Sequence, residues 1–134
     1  MRYLVDTDWA VWWLRGRQDV VERLRAFRTE GLAISAVTLG ELVTGVRRSR
    51  NQTRNAEALQ HFLRRMTVLP FTEATASRWG EEQARLLDAG ETITDFDLAI
   101  AVTALQHDLV LLTENRRHYE RVTGLKLQSL TDRA

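Results

Sequence analysis

Four oxygen-bearing side chains stand where strand-like segments of the sequence meet helical ones: Asp6, Glu41, Asp97 and Asn115. In an α/β fold, the carboxyl ends of parallel strands meet at one edge of the sheet, and ligands bind there. Carboxylate and amide oxygens gathered at that edge suit a hard cation such as Mg²⁺ or Mn²⁺. The four residues therefore predict metal-dependent phosphodiester chemistry.

Three carboxylates packed together are unfavourable by themselves, because like charges raise one another's pKa. A divalent cation removes this conflict, and it also lowers the pKa of a bound water that can then attack phosphorus. The histidines His61, His107 and His118 fall within helical segments or at their ends, away from the acidic positions. Histidine-based acid–base catalysis and a zinc-hydrolase site are therefore not expected.

Each of the four residues also has an ordinary explanation as a capping residue. The segments Thr38–Glu41 and Thr94–Asp97 both fit a capping box, in which the acidic side chain reaches back to the first amide of the box. Asp6 and Asn115 fit plain turn or cap positions. Capping does not explain why all four would lie at the same edge of one sheet, so the metal hypothesis is preferred.

Strand-like runs alternate with helical patterns along the chain, which indicates a three-layer α/β/α fold with a mainly parallel central sheet. The predicted strands are about 3–5, 32–35, 67–69, 109–112 and 125–127. The predicted helices are about 9–15, 20–27, 37–48, 51–66, 76–87 and 94–105, with a helical turn at 116–121.

The composition fits a small protein of the reducing cytoplasm. The 134 residues predict a single domain spanning 1–134, since domains usually run to roughly 100–200 residues. The absence of cysteine excludes disulfides and thiolate zinc sites. No run reaches the roughly 18 apolar residues of a membrane span, and Asp6 comes too early for the apolar core of a signal peptide. We therefore expect a cytoplasmic location and no membrane contact.

Arginines supply almost all of the positive charge, although the net charge is only +1. The guanidinium fork suits phosphate, but codon usage in a GC-rich genome would give the same excess of arginine over lysine. Two clusters flank the candidate site residues, and they consist of Arg47, Arg48, Arg50 and Arg54 and of Arg116 and Arg117. Both clusters are consistent either with phosphate contacts or with solvated helix ends.

Four motifs follow one another along nearly the whole chain: Tyr3–Asp8, Ile34–Gly45, Thr94–Ala101 and Leu111–Asn115. Their order and content resemble those of the PIN-domain ribonucleases, and most of all those of the VapC toxins of bacterial type II toxin–antitoxin pairs. It implies a PIN-like fold and a Mg²⁺- or Mn²⁺-dependent endoribonuclease that cleaves RNA by a metal-activated water. It also implies a homodimer and a cognate VapB-like antitoxin.

The resemblance assigns roles to individual residues. Asp6, Glu41 and Asp97 match the three acidic positions of the family, and Asn115 matches the fourth, so that all four are predicted to be catalytic and the three acids to hold the metal.

Predicted substrate contacts are Thr7 and Thr113, at small hydroxyl positions beside the acids, together with Arg47 and Arg116. Two residues depart from the pattern: Asp8 stands where the toxins usually have Asn, and Asp95 precedes Asp97 by two positions.

Three tryptophans fall within the predicted first helix, at positions 9, 12 and 13. Burial against the sheet would account for them. Aromatic anchors are also favoured at interfaces, so we expect some of these rings at the surface that receives the antitoxin or a second subunit.

Two rival functions remain open from the sequence. The segment Asp6–Asp8 after an apolar strand also suggests a haloacid-dehalogenase-like phosphatase, although Trp9 and the late position of Lys126 fit that pattern poorly. The second rival is a catalytically inactive PIN-like module that binds RNA or a partner. Retention of the three carboxylates argues against it.

Overall fold

The computed structural model describes residues 1–132, and its centre is a five-stranded, wholly parallel sheet. The strands are β1 Tyr3–Val5, β2 Leu32–Ser35, β3 Thr67–Leu69, β4 Val110–Leu112 and β5 Lys126–Gln128. Their order across the sheet is β3-β2-β1-β4-β5. The predicted fold class is confirmed. The predicted domain span of 1–134 extends to Arg133 and Ala134, which lie outside the described residues, and it stays a prediction.

Seven α-helices connect and cover the strands within residues 1–132: α1 Thr7–Leu14, α2 Gln18–Phe27, α3 Ala36–Arg47, α4 Gln52–Leu63, α5 Glu73–Asp88, α6 Asp95–Gln106 and α7 Arg116–Tyr119. A short 3₁₀ turn, Arg28–Glu30, follows α2. None of the helices in this part of the chain is long and apolar enough to cross a membrane.

Three predicted strands have the observed bounds, and the prediction of β4 begins one residue too early. The reason lies at the end of α6, where Asp108 adopts a left-handed conformation with φ 52°. The Leu109 amide then donates to the Ala104 carbonyl at 2.9 Å, which closes the helix. Strand pairing can therefore start only at Val110.

The start of α3 corrects one of the predicted caps. Ser35, the last residue of β2, is the N-cap, and its hydroxyl accepts the Thr38 amide at 3.0 Å. The alternative explanation of Thr38–Glu41 as a capping box is therefore excluded, because the helix begins before Thr38. Glu41 is thus left without a capping role.

Alternation along the strands divides the core into two layers. Leu4, Ala33 and Leu111 pack on the face covered by α5 and α6, whereas Val5, Ile34 and Leu112 pack on the face covered by the first four helices. Successive side chains of a strand point to opposite faces, so β1, β2 and β4 each supply both layers. A sheet buried on both faces leaves only its edges for ligands.

Candidate active site

Asp6 is the most deeply placed acidic residue at the carboxyl edge of the sheet. It follows β1 directly and is 4% exposed. Its Oδ1 accepts the Thr7 amide at 2.9 Å as the N-cap of α1, and its Oδ2 accepts the Thr113 hydroxyl at 2.6 Å. Both carboxylate oxygens are therefore oriented by neighbours from two different strand ends.

Asp97 approaches Asp6 from the first turn of α6. Thr94 caps this helix by accepting the Asp97 amide at 3.2 Å, as predicted. The Asp97 side chain faces Tyr119, whose hydroxyl lies 3.3 Å from Asp97 Oδ1 and 3.1 Å from Asp6 Oδ1. The two carboxylates therefore flank one buried hydroxyl group.

Glu41 is joined to this pair through Thr7. The Thr7 hydroxyl donates to Glu41 Oε1 at 2.7 Å and lies 3.0 Å from the Thr38 hydroxyl. Glu41 is half-buried and also lines a cleft of about 220 Å³ between α1, α3 and α4. Apolar side chains such as Val11 and Leu42 form much of the wall of this cleft.

The electrostatics of the site favour a cation. Burial raises the pKa of Asp6 to about 6, and the negative charges of Asp97 and Asp8 add to the rise, against the hydrogen bonds from Thr113 and Thr7. Burial and the two neighbouring carboxylates also raise the pKa of Tyr119, so its hydroxyl keeps its proton and remains a donor.

Asn115 lies beside Asp6 in the chain of hydrogen bonds. Its backbone amide donates to the Thr113 hydroxyl at 3.0 Å, and its side chain does not cap α7 although it occupies the N-cap position. Thr113 is fully buried. The prediction that Thr113 contacts substrate is therefore corrected, because its hydroxyl is enclosed and orients Asp6.

The remaining polar candidates lie further out. Arg116 forms an ion pair with Asp132, and Arg47 is exposed in the last turn of α3. Asp8 and Asp95 are both exposed, so neither replaces Asp6 or Asp97 in the buried pair.

The donor set suits a hard cation. Within residues 1–132, no three His, Cys, Asp or Glu side chains converge closely enough to form a ready-made metal cluster. Mg²⁺ keeps several of its waters and is usually held by only one or two carboxylates, which the pair of Asp6 and Asp97 supplies. The role of Glu41 as a third ligand stays a prediction.

Sequence reasoning missed Tyr119, although this residue connects the two carboxylates. A weak signal was present, because Tyr119 comes four residues after Asn115 in the predicted helical turn and therefore shares its face. Glu114 was also missed, and it accepts the Trp9 indole N–H at 3.0 Å and the Leu130 amide at 2.9 Å.

Comparison with known proteins agrees with this geometry. The family model described as PIN domain matches residues 3–125. The chain belongs to the PIN-domain family. Within the family it is 30% identical to the tRNA(fMet)-specific endonuclease VapC of Shigella flexneri, over 96% of this chain and 97% of that protein. It is also 30% identical to ribonuclease VapC2 of Rickettsia felis, over 96% and 98% of the two chains.

Solved structures agree at the level of the whole fold. This PIN domain superimposes on VapBC2 of Rickettsia felis, bound to a promoter DNA fragment, with a TM-score of 0.90, 27% identity and coverage of 96% of this chain and 98% of that chain. The DNA-bound VapBC of Salmonella typhimurium gives a TM-score of 0.90 and 27% identity over 97% and 98%. The predicted resemblance is confirmed, the chain is a VapC-type ribonuclease, and the phosphatase alternative is not favoured.

Proposed function

We propose that this VapC-type ribonuclease is an endoribonuclease that depends on Mg²⁺ or Mn²⁺ and acts at the carboxyl edge of its sheet. The observation that carries the proposal is the pair formed by Asp6 and Asp97, which approach one buried hydroxyl from the end of β1 and from α6. Hydroxyls and amides satisfy this pair, and within residues 1–132 neither acid forms an ion pair with a cationic side chain. Its negative charge is therefore available to a metal ion.

In this proposal Asp6 and Asp97 hold the ion, with Glu41 contributing directly or through a water. A bound Mg²⁺ or Mn²⁺ supplies Lewis-acid activation of a water for attack on the phosphodiester. Thr7 keeps Glu41 beside the pair, since its hydroxyl donates to Glu41 Oε1. The side-chain amide of Asn115 does not cap α7, so it is suited to orient the water or a phosphate oxygen.

Arginines around the site would contact the phosphate backbone of the RNA. Arg47 is exposed and has no carboxylate partner among the described residues, so its guanidinium is free to bind phosphate. Arg116 must first break its ion pair with Asp132 before it can bind phosphate. Its contact with RNA is therefore weaker than that of Arg47, or depends on whether the ion pair is formed. Such contacts position the RNA and carry little sequence information.

Cleavage of a total RNA pool tests the proposal. We expect cuts at defined positions with Mg²⁺ or Mn²⁺, none with a chelator, and none from Asp97→Asn in either condition. Asp95→Asn is the matched control, because it removes an exposed acid two residues away and should leave cleavage unchanged. Sequencing of the new 5′ ends identifies the RNA. Equal RNA binding with and without chelator, and no cleavage, would favour the inactive binding module.

We also propose that a small VapB-like antitoxin controls this nuclease as a toxin. The cleft between α1, α3 and α4 adjoins Glu41 and has apolar walls, so apolar anchors of the antitoxin would fill it while a basic side chain reaches the carboxylates. Trp9 is fully buried and takes no part. Trp12 and Trp13 are half-buried on the same helix and remain candidates for the contact.

Co-expression tests this partnership. The chain alone should arrest growth, and the product of the adjacent gene should restore it. Trp12→Ala should weaken the complex, whereas Phe71→Ala, which removes an exposed aromatic side chain that belongs neither to α1 nor to the lining of the cleft, should not. If the chain is fully active as a nuclease and its expression does not harm the cells, the toxin function is wrong and a housekeeping nuclease is the better explanation. The homodimer and the cytoplasmic location stay predictions, and sedimentation of the purified chain checks the first.

A further inference from the structure

Tyr119 occupies an unusual position between the apolar core and the candidate site. It is the last residue of the short helix α7 and is 0% exposed. Its ring belongs to the apolar cluster that also contains Leu86, Leu98 and Ala101. Only its hydroxyl reaches the carboxyl edge of the sheet, where it meets the two acids.

The distances at this hydroxyl restrict the geometry of the site. Asp6 Oδ1 is 3.1 Å away and Asp97 Oδ1 is 3.3 Å away, so the two carboxylate oxygens cannot lie farther apart than these two distances together. The other oxygen of Asp6 is already bonded to Thr113. Since Oδ1 also accepts the Thr7 amide at 2.9 Å, both oxygens of Asp6 are held in one orientation.

We propose that Tyr119 is a positioning residue for the metal-binding pair, and that its hydroxyl holds the Asp6 and Asp97 carboxylates at a separation that would let both bind one ion. This inference rests on the proposed function. Tyr119 does not touch the ion or the RNA, and acts through the two acids.

The physical reason is that the two carboxylates repel each other, and the Tyr119 hydroxyl holds Asp97 close to Asp6, which Thr7 and Thr113 already orient. A neutral hydroxyl contacts both carboxylates without adding a positive charge that would compete with the ion. Asp97 Oδ1 keeps a lone pair for a metal beside its contact with Tyr119, and so does Asp6 Oδ2 beside its hydrogen bond from Thr113, whereas Asp6 Oδ1 already accepts from both Thr7 and Tyr119. Removing such an outer hydrogen bond typically weakens metal affinity by about 10–100-fold.

Tyr119→Phe tests the proposal because it keeps the buried ring and removes only the hydroxyl. Calorimetric titration with Mn²⁺ should give an affinity about 10-fold lower than that of the parent chain. The Mn²⁺ concentration that gives half-maximal RNA cleavage should rise by the same factor. The cleavage rate at saturating Mn²⁺ should recover to within a few-fold, since no group that touches RNA has been lost.

The chain contains a matched control, because it has only one other tyrosine. Tyr3 is 2% exposed, and its hydroxyl also donates to a carboxylate, that of Glu30 at 3.3 Å. This pair lies at the opposite, amino edge of the sheet. Tyr3→Phe should therefore leave the Mn²⁺ affinity unchanged, which separates a general loss of a buried hydroxyl from the loss of this one.

A second measurement does not depend on whether Tyr119→Phe folds, because it keeps Tyr119. In Tyr3→Phe the only tyrosine is Tyr119, so its labelled ring gives a single set of NMR signals. Diamagnetic Mg²⁺ should shift these signals as it saturates the carboxylates, and the shift should vanish in Tyr3→Phe combined with Asp97→Asn.

Two results would overturn the positioning role. The first is a folded Tyr119→Phe whose Mn²⁺ affinity equals or exceeds that of the parent chain. The second is an absence of any Mg²⁺-dependent shift of Tyr119 while metal binds. A different result would sink the proposed function instead, namely a parent chain that neither binds Mn²⁺ nor cleaves RNA with it.

Discussion

Polar groups at the two edges of the sheet differ in how deeply they are buried. At the amino edge, Arg2 pairs with Glu30 at 2.5 Å and Lys126 pairs with Asp108 at 2.8 Å, and all four side chains are at least 40% exposed. At the carboxyl edge, Asp6 and Thr113 are buried and bonded to each other. The charges of these two amino-edge pairs can be solvated, whereas the buried charge of Asp6 must be satisfied inside the protein.

The difference supports the proposal that the carboxyl edge is the functional one. Exposed ion pairs are worth roughly 0–1 kcal/mol, because water and salt screen them. The buried Asp6 and the half-buried Glu41 and Asp97 are instead bonded to uncharged donors. These donors are chiefly the hydroxyls of Thr7, Thr113 and Tyr119. Hydroxyls satisfy hydrogen bonds but neutralise no charge. The carboxyl edge therefore keeps a negative charge that only a ligand can offset.

Loss of an acid from the carboxyl edge should have the largest effect. Asp6→Asn or Asp97→Asn removes a metal-ligand charge while keeping a similar shape, so the rate of RNA cleavage under Mg²⁺ should fall by about 10²–10³-fold. Melting temperatures should show that the parent chain is stabilised by Mg²⁺ and that the variants are not. Cleavage by either variant at the parent rate would end the site assignment.

Thr113→Val probes the buried hydrogen bonds without changing charge. It removes the donor to Asp6 Oδ2 and the acceptor of the Asn115 amide, so the free energy of unfolding should fall by about 1–3 kcal/mol. Thr44→Val is the control, because the exposed Thr44 hydroxyl bonds only to the Gly40 carbonyl of its own helix. Urea denaturation measures both variants. Equal losses would mean that burial at the carboxyl edge adds nothing.

The pH dependence of the free energy of unfolding should reveal the raised pKa of Asp6. Its pKa is raised to about 6 in the folded chain, above the unfolded value, so the folded protein binds the proton more tightly. Ionisation then costs the metal-free protein stability as pH rises through the window between these two pKa values. The parent chain should lose about 2 kcal/mol, relative to Asp6→Asn, between about pH 4 and pH 6 in chelator. A parallel pH profile for the two proteins would contradict the raised pKa.

Exposed arginines without partners should affect RNA binding alone. Arg47→Ala combined with Arg48→Ala should weaken binding and make its salt dependence shallower by about 0.7 in slope for each lost contact with single-stranded phosphate. The measurement is RNA affinity across a salt series with Asp97→Asn as the uncleaving parent. An unchanged slope of the salt dependence would mean that these arginines are solvated and do not contact phosphate.

The smallest effect is expected at the amino edge. Arg2→Ala should change the free energy of unfolding by no more than about 1 kcal/mol, with no effect on cleavage, because the Arg2–Glu30 pair is exposed. Thermal melts at low and high salt provide the measurement. A loss as large as that of Thr113→Val would remove the contrast between the two edges.

Sequence pattern was enough to predict the layers and the edge at which the acids meet. Apolar strands followed by polar residues marked Asp6, and the cap at Thr94 located the helix that carries Asp97. These signals are local, since periodicity and capping involve residues within a few positions of one another. Local pattern left two explanations open at Glu41, a capping box and a metal ligand, and the structure removed the first because Ser35 begins the helix.

Contacts between distant parts of the chain were decided only by the tertiary structure. No spacing indicates that Tyr119 lies between Asp6 and Asp97, or that Thr7 holds Glu41, because these contacts depend on how α6, α7 and α3 pack against the sheet. The same packing buried Thr113 and turned an expected substrate contact into a support for Asp6. The sequence by itself determined which side chains stand at the strand ends, because strands, turns and caps depend on residues that are close to one another in the chain. Their separation, burial and shared hydrogen bonds came from tertiary packing, because burial is a property of the whole folded chain.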